Sequence, residues 1–207
     1  MGVQERRLRE KRELREEILE AARDLFVREG FENVSMRKIA EKIEYSPTTI
    51  YLYFQDKADL LDCLCEETLA RLIRRQTELD QTIADPVERL RAGLRAYIEF
   101  GRKHSNSYQV SFMMPQPFDD PERCPRAHAA GEKAFDHLRG VLRECQRQGR
   151  IQVSDLEASA RALWATIHGI TSLLIAKPRF PWIDPDRVID TVIAQALDGI
   201  HADQSSR

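Results

Sequence analysis

Apolar residues recur at intervals of three or four positions along most of the chain, whereas the strict alternation typical of β-strands is absent. The pattern predicts an all-α fold. An apolar stripe over residues 14–26 marks a first helix that ends at Gly30, where a glycine accepts a left-handed cap without strain. Ser35 and Ser46 have the character of N-caps for two short helices, and Pro47 suits the first position of the second one.

Further helix-start signals follow in the rest of the chain, where a capping residue precedes a proline or lies three positions before an acidic residue. They predict helices that begin near Asp56, Asp85, Ser154 and Asp184, and apolar periodicity predicts a further helix from about Ala134 to Gly149. We expect about nine helices in all. We therefore expect a three-helix N-terminal domain over residues 1–62 and a larger helical domain over residues 63–207.

The last two predicted helices each have an apolar seam, with steps of three and four residues like those of helices that pack side by side. Two consecutive helices with such seams favour a four-helix interface between two copies of the chain. The seam residues are Leu156, Leu163, Ile167, Ile170, Leu174, Ile189, Val192, Ile193 and Ile200.

Charge is nearly balanced, with 32 Lys and Arg residues against 34 Asp and Glu residues. This excludes a diffusely basic nucleic-acid binder, so any such contact must come from a local arrangement. No apolar stretch reaches the roughly 18 residues of a membrane span and no signal peptide is recognisable, so we expect a cytoplasmic protein. The four cysteines are interpreted as buried thiols, with a redox sensor, above all Cys124, as the alternative.

The segment from Ser35 to Lys57 has the pattern of a helix-turn-helix, in which the second of two short capped helices enters the major groove of DNA. Once Ile50 and Phe54 are assigned to the core, this second helix keeps a neutral surface of hydroxyl and aromatic side chains. Such groups hydrogen-bond phosphates and base edges, whereas an ordinary exposed helix carries Glu and Lys. The segment therefore predicts DNA binding.

Basic residues at two places have two open interpretations each. Lys57 lies in the first turn of a predicted helix, where the helix dipole disfavours a cation by about 0.3 to 1 kcal/mol. A DNA phosphate at that position would reverse the effect, and the alternative is a solvated lysine. The basic N-terminus is either an arm that lies against DNA or a solvated helix extension. Its cations are Arg6, Arg7, Arg9, Lys11 and Arg12.

Five short runs of residues share a known family pattern: ILEAARDLF from Ile18, GF from Gly30, SMRKIA from Ser35, TIYLYF from Thr49 and KADLL from Lys57. Over about residues 10 to 60 they resemble the DNA-binding domain of the TetR family of transcriptional regulators. The resemblance places Ser35 or Met36 at the start of the supporting helix and implies that both belong to the DNA-binding residues. It implies operator contacts from Ser46, Pro47, Thr48, Thr49, Tyr51, Tyr53 and Lys57. Thr48 and Leu52 depart from the residues common in the family, at positions that affect base preference.

The second domain contains more aromatic and polar-aromatic side chains than packing alone requires. They include Tyr97, Phe100, His104, Tyr108, Phe112, Met113, Phe135, Trp164 and His168, with Leu138 beside them. Trp164, His168 and Gly169 resemble the Trp-His-Gly signature of one C-terminal domain class of TetR-type regulators. This resemblance implies a cavity between helices for a small, largely apolar effector. For His104 and His168, an ordinary core histidine is the alternative.

No motif of a catalytic site, a phosphate-binding loop or a zinc or di-iron site occurs in the sequence, so we expect neither an enzyme nor a cofactor. The hypothesis is a homodimeric repressor whose recognition helices enter successive major grooves of a palindromic operator and which a small effector releases. A helical carrier or protein-interaction dimer without specific DNA binding is the alternative. Activation instead of repression fits the same residues.

Overall fold

The computed structural model describes residues 2–114 and 121–200, and it confirms the all-α prediction. A 3-10 turn, Phe31–Asn33, follows the first helix, and a π-helical turn, Gln109–Met113, follows the sixth. The sequence also predicts a loop from Met114 to Pro125, and residues 115–120 of it lie outside the described residues. The described part contains the helices α1 Val3–Glu29, α2 Met36–Lys42, α3 Pro47–Tyr51, α4 Lys57–Thr82, α5 Pro86–Lys103, α6 Ser105–Tyr108, α7 Pro125–Arg147, α8 Leu156–Ala176 and α9 Pro185–Asp198.

The helices begin where the capping residues place them. Asp85 Oδ1 accepts hydrogen bonds from two backbone amides of the first turn of α5, and Asp184 Oδ1 accepts one at the start of α9. The predicted cap of α8 is shifted by one residue. Asp155, not Ser154, is the N-cap, because its Oδ1 accepts from the Ala158 amide at 3.0 Å. The sequence contains two adjacent capping residues here, and the second one caps the helix.

The chain divides into two compact units, and this division differs from the predicted one at residue 62. Unit 1 comprises the described residues of Met1–Thr68 and of Asn106–Ala129, and unit 2 comprises those of Leu69–Ser105 and of Ala130–Arg207. The boundary lies inside α4 because the first turns of that helix pack into the N-terminal core. The segment around the π-helical turn joins unit 1 because it packs against α1.

The core of unit 1 holds the helix-turn-helix in place. Ile18 and Phe26 of α1, Ile39 of α2 and Ile50 of α3 have no exposed surface, and Phe54 is 3% exposed. Burial of each such side chain contributes roughly 1.5 to 3 kcal/mol. The prediction that Ile50 and Phe54 belong to the core is confirmed, and it fixes which face of α3 is left for a ligand.

The core of unit 2 is formed where α5, α8 and α9 pack against one another. The predicted dimer seam lies largely within this core, because α5 covers the seams of both helices. Side chains buried in one protomer have no surface left for a second one, so this part of the seam is corrected. Leu163, Ile167, Ile170, Ile189 and Ile193 are buried, whereas Leu156, Leu174, Val192 and Ile200 are half-buried.

Candidate nucleic-acid interface

The start of α3 is fixed by a local hydrogen-bond network. Ser46 Oγ accepts from the Thr49 amide at 3.2 Å, and the two hydroxyl oxygens of these residues are 2.9 Å apart. Pro47 occupies the first helical position, where no amide proton is needed. Ile50, on the opposite face, is fully buried. A helix of five residues is thus held by one cap and one apolar anchor.

The turn between α2 and α3 contains a strained residue, Glu44, that sequence reasoning missed. The Tyr45 amide donates to the Ala40 carbonyl and the Glu44 amide to the Glu41 carbonyl, which is a Schellman arrangement. Glu44 lies at its left-handed position with φ of 59°. Glycine is usual there, because other residues pay about 1 to 2 kcal/mol for this conformation.

The outward face of α3 and the residues after it form a surface without formal charge. Tyr51 is 54% exposed and Leu52 is 75% exposed, and Thr48 and Ser46 are exposed as well. Pro47, Thr49 and Tyr53 are half-buried beside them. Six of the seven positions from 46 to 52, all except the buried Ile50, therefore have exposed surface, and Tyr53 follows them.

Three of the residues predicted to contact DNA, Met36, Ser35 and Thr49, have structural roles. Met36 is 6% exposed and belongs to the core, so its side chain is not available to DNA. Ser35 caps α2 by accepting from the Lys38 amide at 3.2 Å. The Thr49 hydroxyl is part of the cap of α3, so its first role is structural. Thr48 and Tyr51 remain as the exposed hydroxyl groups of the helix.

Lys57 at the start of α4 is half-buried and contacts the turn after α1. Its Nζ donates to the Phe31 carbonyl oxygen at 2.6 Å and lies 4.1 Å from the centroid of the Phe31 ring. Asp56 and Asp59 cap the same helix, since Asp56 Oδ1 accepts from the Asp59 amide and Asp59 Oδ2 from the Gln55 amide. The predicted phosphate contact of Lys57 stays a prediction.

A buried carboxylate joins α4 to the beginning of α7 within unit 1. Asp62 is 2% exposed and accepts from the Ala127 amide at 2.7 Å and from Arg126 Nε at 2.8 Å. The same guanidinium donates to the carbonyl oxygen of Asp59 at 2.9 Å. Sequence reasoning missed this contact, because residues 62 and 126 are distant in the chain and a single Asp on an apolar helix gives no signal.

Two of the candidate effector residues of unit 2, Tyr97 and Trp164, contact His168. Its Nδ1 lies 3.3 Å from the Tyr97 hydroxyl, its Nε2 lies 3.4 Å from the Ser172 hydroxyl, and its ring stacks on Trp164 with centroids 5.4 Å apart. Burial lowers the pKa of His168 below its ordinary value of 6.5, so the imidazole is neutral at pH 7. Phe100 and His104 form a second ring pair in this unit.

The remaining predicted effector residues are divided between the two units. The ring of Phe135 in α7 lies near two guanidinium groups. Its centroid is 5.1 Å from Arg139 Cζ and 5.7 Å from Arg161 Cζ. Leu138, one turn further on, is half-buried in unit 2. Tyr108, Phe112 and Met113 belong to unit 1, where the first two form a ring pair 4.8 Å apart.

The cysteines are buried thiols, as the first interpretation had it. Burial raises the pKa of Cys63 and Cys65, and raises that of Cys145 to about 11. Cys124, the candidate redox sensor, has no exposed surface. In the described residues, no group of three or more potential metal ligands comes together, and no helix is long and apolar enough to cross a membrane.

Comparison with known families agrees with the geometry at both ends of the chain. The model of bacterial regulatory proteins of the tetR family matches residues 18–64, which include α2, the turn and α3. The model of the tetracyclin repressor-like C-terminal domain matches residues 90–198 and so covers more than half of the 207 residues.

The individual relatives differ in the functions that their names state. The HTH-type transcriptional activator FasR of Mycolicibacterium smegmatis is 25% identical to this chain, over 86% of this chain's length and 76% of the length of FasR. The nucleoid occlusion factor SlmA of Vibrio atlanticus is 26% identical, over 75% of this chain's length and 80% of the length of SlmA. The regulator FadR from Bacillus subtilis, solved with stearoyl-CoA, has the same fold, with a TM-score of 0.76 at 23% identity over 89% of this chain and 98% of FadR.

Proposed function

The chain belongs to the tetR family of bacterial regulatory proteins, and from that premise we propose that it binds a palindromic operator as a homodimer through α3. A small, largely apolar effector binds unit 2 and lowers the affinity for DNA. The protein thus acts by binding, not by catalysis. We propose repression and not activation as the effect on transcription, since release of the protein by an effector would remove a block from a promoter.

The exposed surface of α3 carries the proposal. A short helix that shows Thr48 and Tyr51 to solvent, and that is anchored from behind by Ile50, has hydrogen-bonding groups at fixed positions. A helix of this kind fits the major groove, where hydroxyl groups reach base edges and phosphates. The absence of formal charge on this surface means that its contribution is specificity, and cations elsewhere must supply much of the affinity.

Selection of bound sequences from a random duplex library tests this function directly. We expect a palindrome with half-sites about one helical turn apart, bound at least about 10³ times more tightly than random DNA. A library without an enriched sequence would support the alternative, a helical carrier or protein-interaction dimer. The search would then move to the ligands of unit 2.

We place the dimer interface on the outward face of α8. That face is formed by small or apolar side chains, and Leu173 is 50% exposed upon it. Small residues allow two helices to approach closely, and an exposed apolar patch of this kind is typical of an interaction site. The face comprises Ala158, Ala162, Ala165, Gly169, Leu173 and Ala176, which recur at steps of three and four residues.

A charge on this face tests the interface. We expect Ala165→Glu to dissociate the dimer in sedimentation experiments at micromolar concentration, because the interface would then bury an unpaired carboxylate. Ala129→Glu introduces the same charge at an exposed alanine of α7 and serves as the matched control. A dimer that tolerates Ala165→Glu would contradict this placement.

We propose that the effector binds near Tyr97 and His168, and the Trp-His-Gly resemblance supports the same helix. A half-buried neutral imidazole and a phenol are suited to hold one polar group of an otherwise apolar ligand. Because FadR was solved with stearoyl-CoA, a series of acyl-CoA thioesters is a sensible first screen. A ligand that raises the unfolding temperature and weakens operator binding, with a weaker effect for Tyr97→Phe, would support the site.

The continuity of α4 provides the coupling. This helix begins at Lys57 in unit 1 and ends at Thr82 in unit 2, so a ligand that shifts its second half also acts on the end beside α3. Effector and operator must then weaken each other's binding by the same factor. Titrations that show no mutual effect on affinity would contradict this mechanism.

A further inference from the structure

The first helix extends well beyond the core of unit 1. α1 begins at Val3, but its first buried side chains are those of Ile18 and Leu19. All side chains from Gln4 to Glu13 are exposed. An isolated helix shorter than about 12 to 15 residues is marginal in water, so this segment gains little stability from folding by itself.

The charges of this extension are sorted by helix face. On the outer face, Arg6 Nε lies 2.7 Å from a Glu10 oxygen and Arg9 Nε lies 3.6 Å from a Glu13 oxygen, so both cations are offset by carboxylates. The stripe that faces the core at Ile18 continues towards the N-terminus through Leu14 to Lys11 and Arg7, at steps of three or four residues.

The inner face of the extension has positive charge that is not neutralised. Within residues 2–114 and 121–200, no carboxylate forms an ion pair with Arg7 or Lys11. Lys11 Nζ lies 6.0 Å from the centroid of the Tyr53 ring, and Tyr53 follows α3 directly. The cationic face is therefore continuous with the surface of α3 that we propose as the operator-binding surface.

We propose that Arg7 and Lys11 bind backbone phosphates of the DNA that flanks the bases contacted by α3. This inference rests on the proposed function, and it adds a second DNA-binding surface to it. Charge complementarity identifies phosphate as the ligand, and the position of Lys11 beside Tyr53 identifies the DNA as its source. Because phosphates carry no sequence information, this surface contributes affinity and leaves the base preference unchanged.

Two double variants test this surface, since they remove equal charge from the same helix. Arg7→Ala/Lys11→Ala deletes the inner cations, and Arg6→Ala/Arg9→Ala deletes the outer cations that Glu10 and Glu13 already offset. Circular dichroism confirms that both keep their helix content. Fluorescence anisotropy then measures affinity for the selected duplex and for a scrambled duplex of the same length, from about 50 to about 200 mM salt.

We expect the inner variant to lose about tenfold in affinity for both duplexes at low salt, and the slope of log affinity against log salt to fall by about two per protomer. In the outer variant, the loss of affinity and the fall of the salt slope should each be less than about half of those in the inner variant. On a duplex trimmed to the selected palindrome, the difference between wild type and the inner variant should disappear.

Other results would overturn the inference. Equal losses in the two variants would mean that only overall charge matters. Loss of binding to anionic phosphatidylglycerol vesicles by the inner variant, without loss of DNA affinity, would assign this face to a membrane. If instead the wild type does not prefer the selected duplex over the scrambled one, the proposed function fails, and the salt slopes still report whether the inner cations bind phosphate.

Discussion

The ammonium group of Lys57 donates a hydrogen bond to the carbonyl oxygen of Phe31 at 2.6 Å, and it lies over the ring of the same residue. This contact ties the first turn of α4 to the turn after α1. It explains why a cation is tolerated at a helix N-terminus, where the dipole opposes it. An ammonium has three donors, so the bond to Phe31 is compatible with a DNA phosphate as a second acceptor.

Lys57→Met removes the ammonium, and with it both the hydrogen bond to Phe31 and the charge offered to a phosphate, but two measurements tell the losses apart: unfolding reports the first and the salt dependence of DNA binding the second. We expect the affinity for the selected operator to fall about five- to tenfold and the salt slope to fall by about one per protomer. The free energy of unfolding should fall by about 1 kcal/mol or less. An unchanged salt slope in anisotropy titrations would mean that Lys57 has a structural role alone.

The left-handed conformation of Glu44 predicts a stabilising substitution. Glu44→Gly should raise the free energy of unfolding by about 0.5 kcal/mol, because relief of about 1 to 2 kcal/mol of strain is partly offset by the greater entropy of glycine in the unfolded chain. Glu41→Gly makes the same change inside α2 and should cost about 1 kcal/mol. Urea unfolding of both variants checks the sign, and destabilisation by Glu44→Gly would contradict the account.

Removal of the buried carboxylate should weaken unit 1. Asp62→Ala leaves the buried Ala127 amide without its acceptor and removes one acceptor of the Arg126 guanidinium, which keeps its contact with Asp59, so we expect a loss of about 2 kcal/mol in urea unfolding. Glu66 is the matched control, since it lies 3.8 Å from Arg126 but its side chain is 43% exposed. Glu66→Ala should cost less than about 1 kcal/mol. Similar costs for both variants would show that burial of Asp62 adds nothing.

The lowered pKa of His168 predicts a dependence of stability on pH. Between the ordinary pKa of 6.5 and the lower folded value, the unfolded chain binds a proton that the folded chain does not, so stability falls as pH falls through this window. His168→Gln should lose less stability between about pH 7.5 and 5.5 than the wild type. This range lies above that of Glu144, whose pKa Arg147 and Gln148 lower to about 2. Identical pH profiles would contradict burial of a neutral His168.

Much of the fold could be predicted because its signals are local. Caps such as Ser46 and Asp85 lie within three residues of the amides that they bind, and the stripe on α1 shows directly which face is buried. The fold class, the helix-turn-helix and the exposed face of α3 follow from such short-range rules.

The errors arose where a pattern has more than one physical cause. The seam that includes Ile167 has the spacing of a dimer interface, but a helix of the same chain covers it equally well. Met36 was assigned to DNA by its place in a motif, while its burial depends on distant parts of unit 1. The ion pair between Asp62 and Arg126 joins residues far apart in the chain, and periodicity carries no information about such pairs.

The most direct test of the central claim compares the wild type with Thr48→Ala/Tyr51→Ala on the selected palindrome and on a scrambled duplex at fixed salt. These two positions are chosen because both are exposed and neither supplies the cap of α3. We predict that the double variant loses at least about a hundredfold in affinity for the palindrome, while its affinity for scrambled DNA changes by less than about twofold. Equal affinity of the wild type for the two duplexes, or a double variant that still prefers the palindrome, would contradict sequence recognition by α3.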